Sequence, residues 1–207
     1  MNNNYDRVAG YYDWLSRLVF LRSQLDAQIN QLQHIPNGSS FLIVGGGTGW
    51  ILEEIAKTHS DLHIVYIEAS AKMIAFSKRR SYGANVVEFQ HIKIEDFTSS
   101  INFDVIATPF LFDNLSEETI QVVFNQLTEL LKDSGIWLFN DFTLKHKKGN
   151  WWKRLFIRSM YLFFKTMKSV DTQQLVDMEP YFKMAAYKIV EEKLYYGQFI
   201  ESRIYKK

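Results

Sequence analysis

Phe41-Leu42-Ile43-Val44-Gly45-Gly46-Gly47-Thr48-Gly49-Trp50 decides the fold. An apolar run meets a glycine-rich loop and leaves it as Ile51-Leu52-Glu53-Glu54-Ile55-Ala56-Lys57. In that exit segment Ile51, Leu52, Ile55 and Ala56 share one helical face, and Glu53, Glu54 and Lys57 the other. A run that is apolar at every position suits a strand buried on both sides, as in the middle of a parallel sheet. Glycine is needed where φ is positive or where a ligand lies against bare backbone. In an open α/β sheet the carboxyl ends of the strands border the ligand crevice. The loop Gly45, Gly46, Gly47, Thr48 and Gly49 is therefore expected to face a nucleotide-like ligand.

Outward from this stretch, strand and helix alternate. Strands are expected at 63–67, 85–91, 103–108 and 136–139, and helices at 50–58, 71–80 and from Ser116 to Lys132. Ser116 caps its helix ahead of Glu117 and Glu118. Lys78-Arg79-Arg80 places cations at the negative end of the 71–80 helix. Such alternation implies a parallel sheet with helices on both faces. Two closing strands, about 188–194 and 199–205, meet near Gly197 as a hairpin, so one of them runs antiparallel to the sheet. Helices are also expected over 5–33, 151–168 and 173–184. The fold class is thus α/β, a Rossmann-like doubly wound sheet of seven strands in a single domain. Its parts are N-terminal lid helices (1–35), a cofactor-binding core (40–142), a helical cap insertion (143–185) and the hairpin (186–207).

The loop reads G-x-G-x-G at Gly45, Gly47 and Gly49. The dinucleotide fingerprint G-x-G-x-x-G would need glycine where Trp50 stands, and no Lys-Ser/Thr pair follows, so neither a dinucleotide nor a P-loop site is indicated. The second strand ends in Glu68, 19 residues beyond Gly49. An acid at that strand tip can accept hydrogen bonds from ribose hydroxyls, strengthened by its charge.

With these motifs in order, the chain resembles the class I S-adenosylmethionine-dependent methyltransferases. The resemblance implies that Gly45, Gly46, Gly47, Thr48 and Gly49 lie under the methionine and ribose of the cofactor. It also implies that Glu68, followed by Ala69, Ser70 and Met73, borders the ribose side. Val87-Glu88-Phe89 with Ile94-Glu95-Asp96 resembles the third-strand region beside the adenine. Phe103 to Ile106 with Thr108-Pro109-Phe110 resembles the fourth strand and its exit. Leu130 to Gly135 resembles the turn before strand five. S-adenosylmethionine is the implied cofactor and S-adenosylhomocysteine the product. Two positions depart from the pattern: Ile43 stands where the family usually has an acid that orders the loop, and Lys93 where it often has an aspartate at the adenine. The Gly46-Gly47 pair is also similar to aminopropyltransferases, whose loop has aspartate in place of Thr48.

The N-terminal stretch Tyr5-Asp6-Arg7-Val8-Ala9-Gly10-Tyr11-Tyr12-Asp13-Trp14-Leu15 resembles the quinone-ring C-methyltransferases and their small-molecule and phospholipid-methylating relatives. The resemblance implies a lid helix over the cofactor, with Tyr5 and Tyr12 as the aromatics that reach the site.

Composition narrows the partners. The chain has 207 residues, no cysteine and a net charge of +1, which excludes disulfides and thiolate chemistry and argues against nucleic-acid binding. No apolar stretch is long enough to span a bilayer, and the N-terminus lacks the apolar core of a signal peptide, so a cytoplasmic protein is expected. Between Asp141 and Asp171 there is no acid, while eight bases fall there: Lys145, Lys147, Lys148, Lys153, Arg154, Arg158, Lys165 and Lys168. Within it, 151–168 is a basic amphipathic helix, open to three readings: a wet outer face, a cap over an apolar acceptor, or a surface that touches anionic lipid. His59 and His63 lack an acidic partner at ligand spacing, so no metal site is expected. Asp113, Asp141, His91 and His146 are the acids and bases near strand tips, and none is marked out by spacing. The expected activity is methyl transfer to a small, apolar, aromatic or lipid-like acceptor by a monomer or homodimer. A non-catalytic adenosyl-binding or protein-interaction module is the rival.

Overall fold

The computed structural model describes residues 22–143, 145 and 175–207. Tyr5, Tyr12, His146, the 151–168 helix and most of the expected 5–33 helix lie outside the described residues.

The described elements are α1 (Ser23–Leu32), β1 (Ser40–Val44), α2 (Trp50–Ala56), β2 (His63–Glu68), α3 (Ala71–Ser77), β3 (Val86–His91), β4 (Phe103–Pro109), α4 (Glu117–Leu130), β5 (Leu131–Phe142), α5 (Glu179–Met184), β6 (Lys188–Tyr195) and β7 (Ile200–Lys206). The strands form one seven-stranded sheet in the order β3-β2-β1-β4-β5-β7-β6. The first five are mutually parallel. β7 slots between β5 and β6 and runs antiparallel to both. This is the expected Rossmann-like architecture, and it carries the expected antiparallel hairpin.

The period of two along the strands splits the core between the two sheet faces. On β5, Trp137 and Phe139 join Val44, Phe112, Phe124, Phe182 and Tyr205 on one face. Leu138 instead joins Ile43, Leu52, Tyr66 and Ile204 on the other. Phe182 of α5 lies flat on Tyr205 of β7, with ring centres 3.7 Å apart and planes 3° from parallel, which ties the hairpin to the core.

α1 is fastened to the sheet by polar groups as well as by packing. The buried amide of Gln31 donates to the carbonyls of Phe139 (3.1 Å) and Arg203 (3.0 Å), bridging β5 and β7. Its own oxygen accepts from Asn140 Nδ2 at 2.6 Å. Ser202 Oγ donates to the Ala27 carbonyl at 3.0 Å.

Most elements match their expected bounds to within a residue or two; three departures are instructive. The helix expected over 173–184 is described only as Glu179–Met184, with residues 175–178 irregular. Pro180 lies in its first turn, where a missing N–H costs nothing, and it disfavours helix through the residue before it. β5 begins at Leu131 rather than after Gly135, with a register shift against β4 between Phe103 and Val105. α3 ends at Ser77. Lys78, Arg79 and Arg80 follow its last turn, and Arg80 folds back instead: its Nε donates to the Thr48 carbonyl at 3.1 Å.

No helix among the described residues is long and apolar enough to cross a membrane.

Candidate active site

The loop from Gly45 to Gly49 leaves the end of β1. Gly45, Gly47 and Gly49 have φ of 72°, 63° and 76°, the left-handed region that glycine enters without strain. At Gly49 an added Cβ would lie 2.5 Å from Ser77 Cβ, so this glycine also permits α2 to pack against α3. The Gly45 N–H donates to the Ile67 carbonyl at 2.9 Å, which continues the β1–β2 ladder into the loop.

Glu68 ends β2 and is almost wholly buried. Its Oε2 accepts the Gly47 N–H at 3.0 Å, and its Oε1 accepts the Ser70 N–H at 2.8 Å. One carboxylate thus joins the glycine loop to the start of α3. Burial pushes its pKa above the usual glutamate value, opposed by the N–H groups of Ser70, Gly47 and Ala69 and by the charge of His91. Ser70 caps α3 by accepting the Met73 N–H at 3.2 Å. Met73 is buried beneath the loop, its sulfur 4.0 Å from where a Gly47 Cβ would stand. The Ala69 carbonyl is 3.1 Å from His91 Nε2 at the end of β3.

The remaining expected residues fall along the same sheet edge with different roles. Ile94 is buried in the cluster that holds Val44 and Ile67, while Glu95 and Asp96 are exposed. Gln126 of α4 donates to the carbonyls of Ile94 (3.1 Å) and Phe97 (2.6 Å), pinning this turn. Thr108 points into the core, where its hydroxyl accepts the Trp137 indole N–H at 2.9 Å. Pro109 pairs with Asn140 at the last step of the β4–β5 ladder. Phe110 has φ 51°, and its N–H donates to the Asn140 carbonyl at 2.8 Å. Its ring packs 5.0 Å from Phe142, which packs 5.0 Å from Phe199. Leu111 then touches the glycine loop, with Cδ1 3.3 Å from where a Gly45 Cβ would be.

Asp113 and Asp141, named from the sequence only as acids near strand tips, prove to be grouped beside this edge with Glu201, which sequence reading missed. Asp113, just past the β4 exit, and Asp141, near the end of β5, are both buried. Asp141 faces Glu201 across the β5–β7 ladder, and Glu201 is buried as well. Burial pushes the Asp113 carboxyl up to about 8. Burial, then the charges of Asp113 and Glu201, hold Asp141 well above the usual carboxylate range. Asp141 Oδ1 accepts the Phe142 N–H, and its Oδ2 has no hydrogen-bond partner among the described residues. The buried guanidinium of Arg203 lies 3.3 Å from Glu201, 2.6 Å from Glu192 and 3.4 Å from Glu179. Lys145 is held by Asp177 and Glu179, each at 2.7 Å.

This geometry fits an adenosyl ligand. The left-handed Gly45 and Gly47 are only partly covered and present bare backbone, and Glu68, faced by three main-chain N–H groups, keeps lone-pair capacity for a ribose hydroxyl. The fold and the glycine loop match the pattern of class I S-adenosylmethionine-dependent methyltransferases. Residues 42–137, just under half of the chain, match the methyltransferase domain family. Malonyl-[acyl-carrier protein] O-methyltransferase of Bacillus cytotoxicus is 30% identical over 139 residues, covering 67% of this chain and 46% of that protein. The chain spans less than half the length of the curated relatives it matches. Among solved structures, the DhpI-SAM-HEP complex superposes with a TM-score of 0.70 at 13% identity, covering 98% of this chain and 94% of that one. The 1,6-didemethyltoxoflavin-N1-methyltransferase of Burkholderia thailandensis, solved with its acceptor and S-adenosylhomocysteine, gives 0.69 at 12% identity, over 99% and 86% of the two chains. These structural likenesses establish the fold.

Proposed function

We propose that the chain transfers a methyl group from S-adenosylmethionine to a small, apolar, aromatic or lipid-like acceptor. In sequence pattern it is nearest to the quinone-ring C-methyltransferase group. The observation that carries this reading is Glu68, whose carboxylate joins the glycine loop to α3 at the tip of β2, a position that supports ribose binding. When bound, the sulfonium supplies a methyl group open to in-line displacement, with a neutral leaving group. The chain's own part is alignment and water exclusion. Gly45, Gly47 and Gly49 seat the ligand against main chain, and Glu68 orients its ribose.

The acceptor side of the proposal is supported by the carboxyl ends of β4 and β5. Phe110, half-buried, offers aromatic surface there, backed by the buried rings of Phe142 and Phe199. Asp113 is the candidate proton acceptor for a neutral hydroxyl or activated carbon, because burial raises its carboxyl to about 8, within reach of the working pH. The family's malonyl-specific relatives carry a much longer chain, so their acceptor is not transferred here. Isothermal titration with S-adenosylmethionine and S-adenosylhomocysteine tests the cofactor half. Micromolar binding that Glu68→Ala weakens ten-fold supports the reading, and absence of binding sinks it. Radiolabelled methyl transfer to a panel of phenols, quinols and lipids tests the acceptor half.

A further inference from the structure

Both main-chain polar groups of Gly47 are held from one face of β2. Glu68 takes the N–H, and two residues earlier the Tyr66 hydroxyl donates to the Gly47 carbonyl at 3.0 Å. Tyr66 is fully buried, and its ring packs 5.4 Å from Phe89. That ring fills the space beneath the loop: a Cβ on Gly46 would stand 2.3 Å from Tyr66 Cζ and 2.4 Å from its hydroxyl oxygen. Across the ladder Tyr66 pairs with Ile43 of β1. Ile43 is buried and apolar, so β1 offers no polar side chain at that step to hold the loop.

We infer that Tyr66 is a positioning residue of the adenosyl site, ordering the glycine loop from β2 together with Glu68. A loop of glycines has the most backbone freedom to lose on binding. Fixing it beforehand removes part of that cost from the ligand's affinity. Gly46 is glycine for a steric reason set by Tyr66, separate from the positive φ that constrains its neighbours. The inference rests on the proposed use of this loop for an adenosyl ligand.

Four proteins test it: the natural chain, Tyr66→Phe, Gly46→Ala and Gly46→Ala/Tyr66→Ala. Each is titrated with S-adenosylhomocysteine, melted thermally, and followed by hydrogen exchange of residues 45–49 without ligand. Tyr66→Phe keeps the ring and loses one hydrogen bond, so affinity falls by about ten-fold, and loop exchange quickens while the melt moves little. Gly46→Ala loses affinity by more than about thirty-fold, and adding Tyr66→Ala recovers part of it by removing the clash. Unchanged affinity and exchange in Tyr66→Phe overturns the inference. So does a double variant no better than Gly46→Ala, or faster exchange across the whole protein with no bias to the loop. If the natural chain binds no adenosyl ligand, the proposed function fails, while the exchange comparison still decides whether Tyr66 orders the loop.

Discussion

Glu68 and Gly47 are joined by a 3.0 Å hydrogen bond between a buried carboxylate and a loop N–H, and the same carboxylate holds Ser70. The acid therefore shapes the loop before any ligand arrives. Glu68→Gln keeps an acceptor oxygen but puts an amide donor where Gly47 or Ser70 also donates. We expect S-adenosylhomocysteine affinity to fall ten-fold or more, about 1.4 kcal/mol, by titration calorimetry. In the natural chain, affinity should weaken as pH falls. The loss should begin above the ordinary glutamate value of 4.5, because burial raises the Glu68 pKa.

The Asp113–Asp141 pair sets a pH dependence of stability. Both carboxyls keep their protons in the folded state to higher pH than in the unfolded chain, where an aspartate titrates near 3.8. Their contribution is complete below that value and is lost as pH rises through about 8 for Asp113. Urea unfolding from pH 5 to 9 should show stability falling by up to about 1.4 kcal/mol per pH unit for each proton involved. Asp113→Asn should flatten that slope; an unchanged slope would mean the pair does not titrate together in this range.

Gln31 couples α1 to the seam between parallel and antiparallel strands. Gln31→Leu is close in size and removes both N–H donors, leaving the Phe139 and Arg203 carbonyls and the Asn140 amide without this partner. A loss of about 2–4 kcal/mol in denaturant unfolding is expected, since buried groups left unpaired cost about 1–3 kcal/mol each.

Gly49→Ala meets two obstacles. The left-handed conformation costs a side chain about 1–2 kcal/mol. The new Cβ would also meet Ser77 Cβ at 2.5 Å and Ser77 Cα at 2.7 Å. The melting temperature should drop, and Ser77→Ala should not restore it, because both of those atoms remain in alanine.

The strand–loop–helix unit and Glu68 were legible because each rests on neighbours in sequence: an apolar run, glycines, and an acid at a strand tip. The parallel direction of β1 to β5 followed from alternation, and an antiparallel strand in the closing hairpin from the short link near Gly197; that it is β7, inside the sheet, came from the structure. Tyr66 beneath Gly46 was not legible, since that contact depends on β1–β2 register and on which way a side chain leans. Asp113 and Asp141 were visible as acids near strand tips, but their burial together with Glu201 was hidden. The three come from an exit turn, the parallel ladder and the closing hairpin, and only the β5–β7 pairing sets Asp141 opposite Glu201. Pro180 could have been read as the start of α5, where the longer helix expected over 173–184 ignored it.

The contact between Gly46 and Tyr66 also favours one order of evolutionary change. A side chain gained at position 46 while the phenol lies under it must push the ring aside, so that step is easier once position 66 has become small. In the other direction, a tyrosine enters position 66 most readily beneath a glycine. The two sites, one on the loop and one on a strand, are expected to change as a pair.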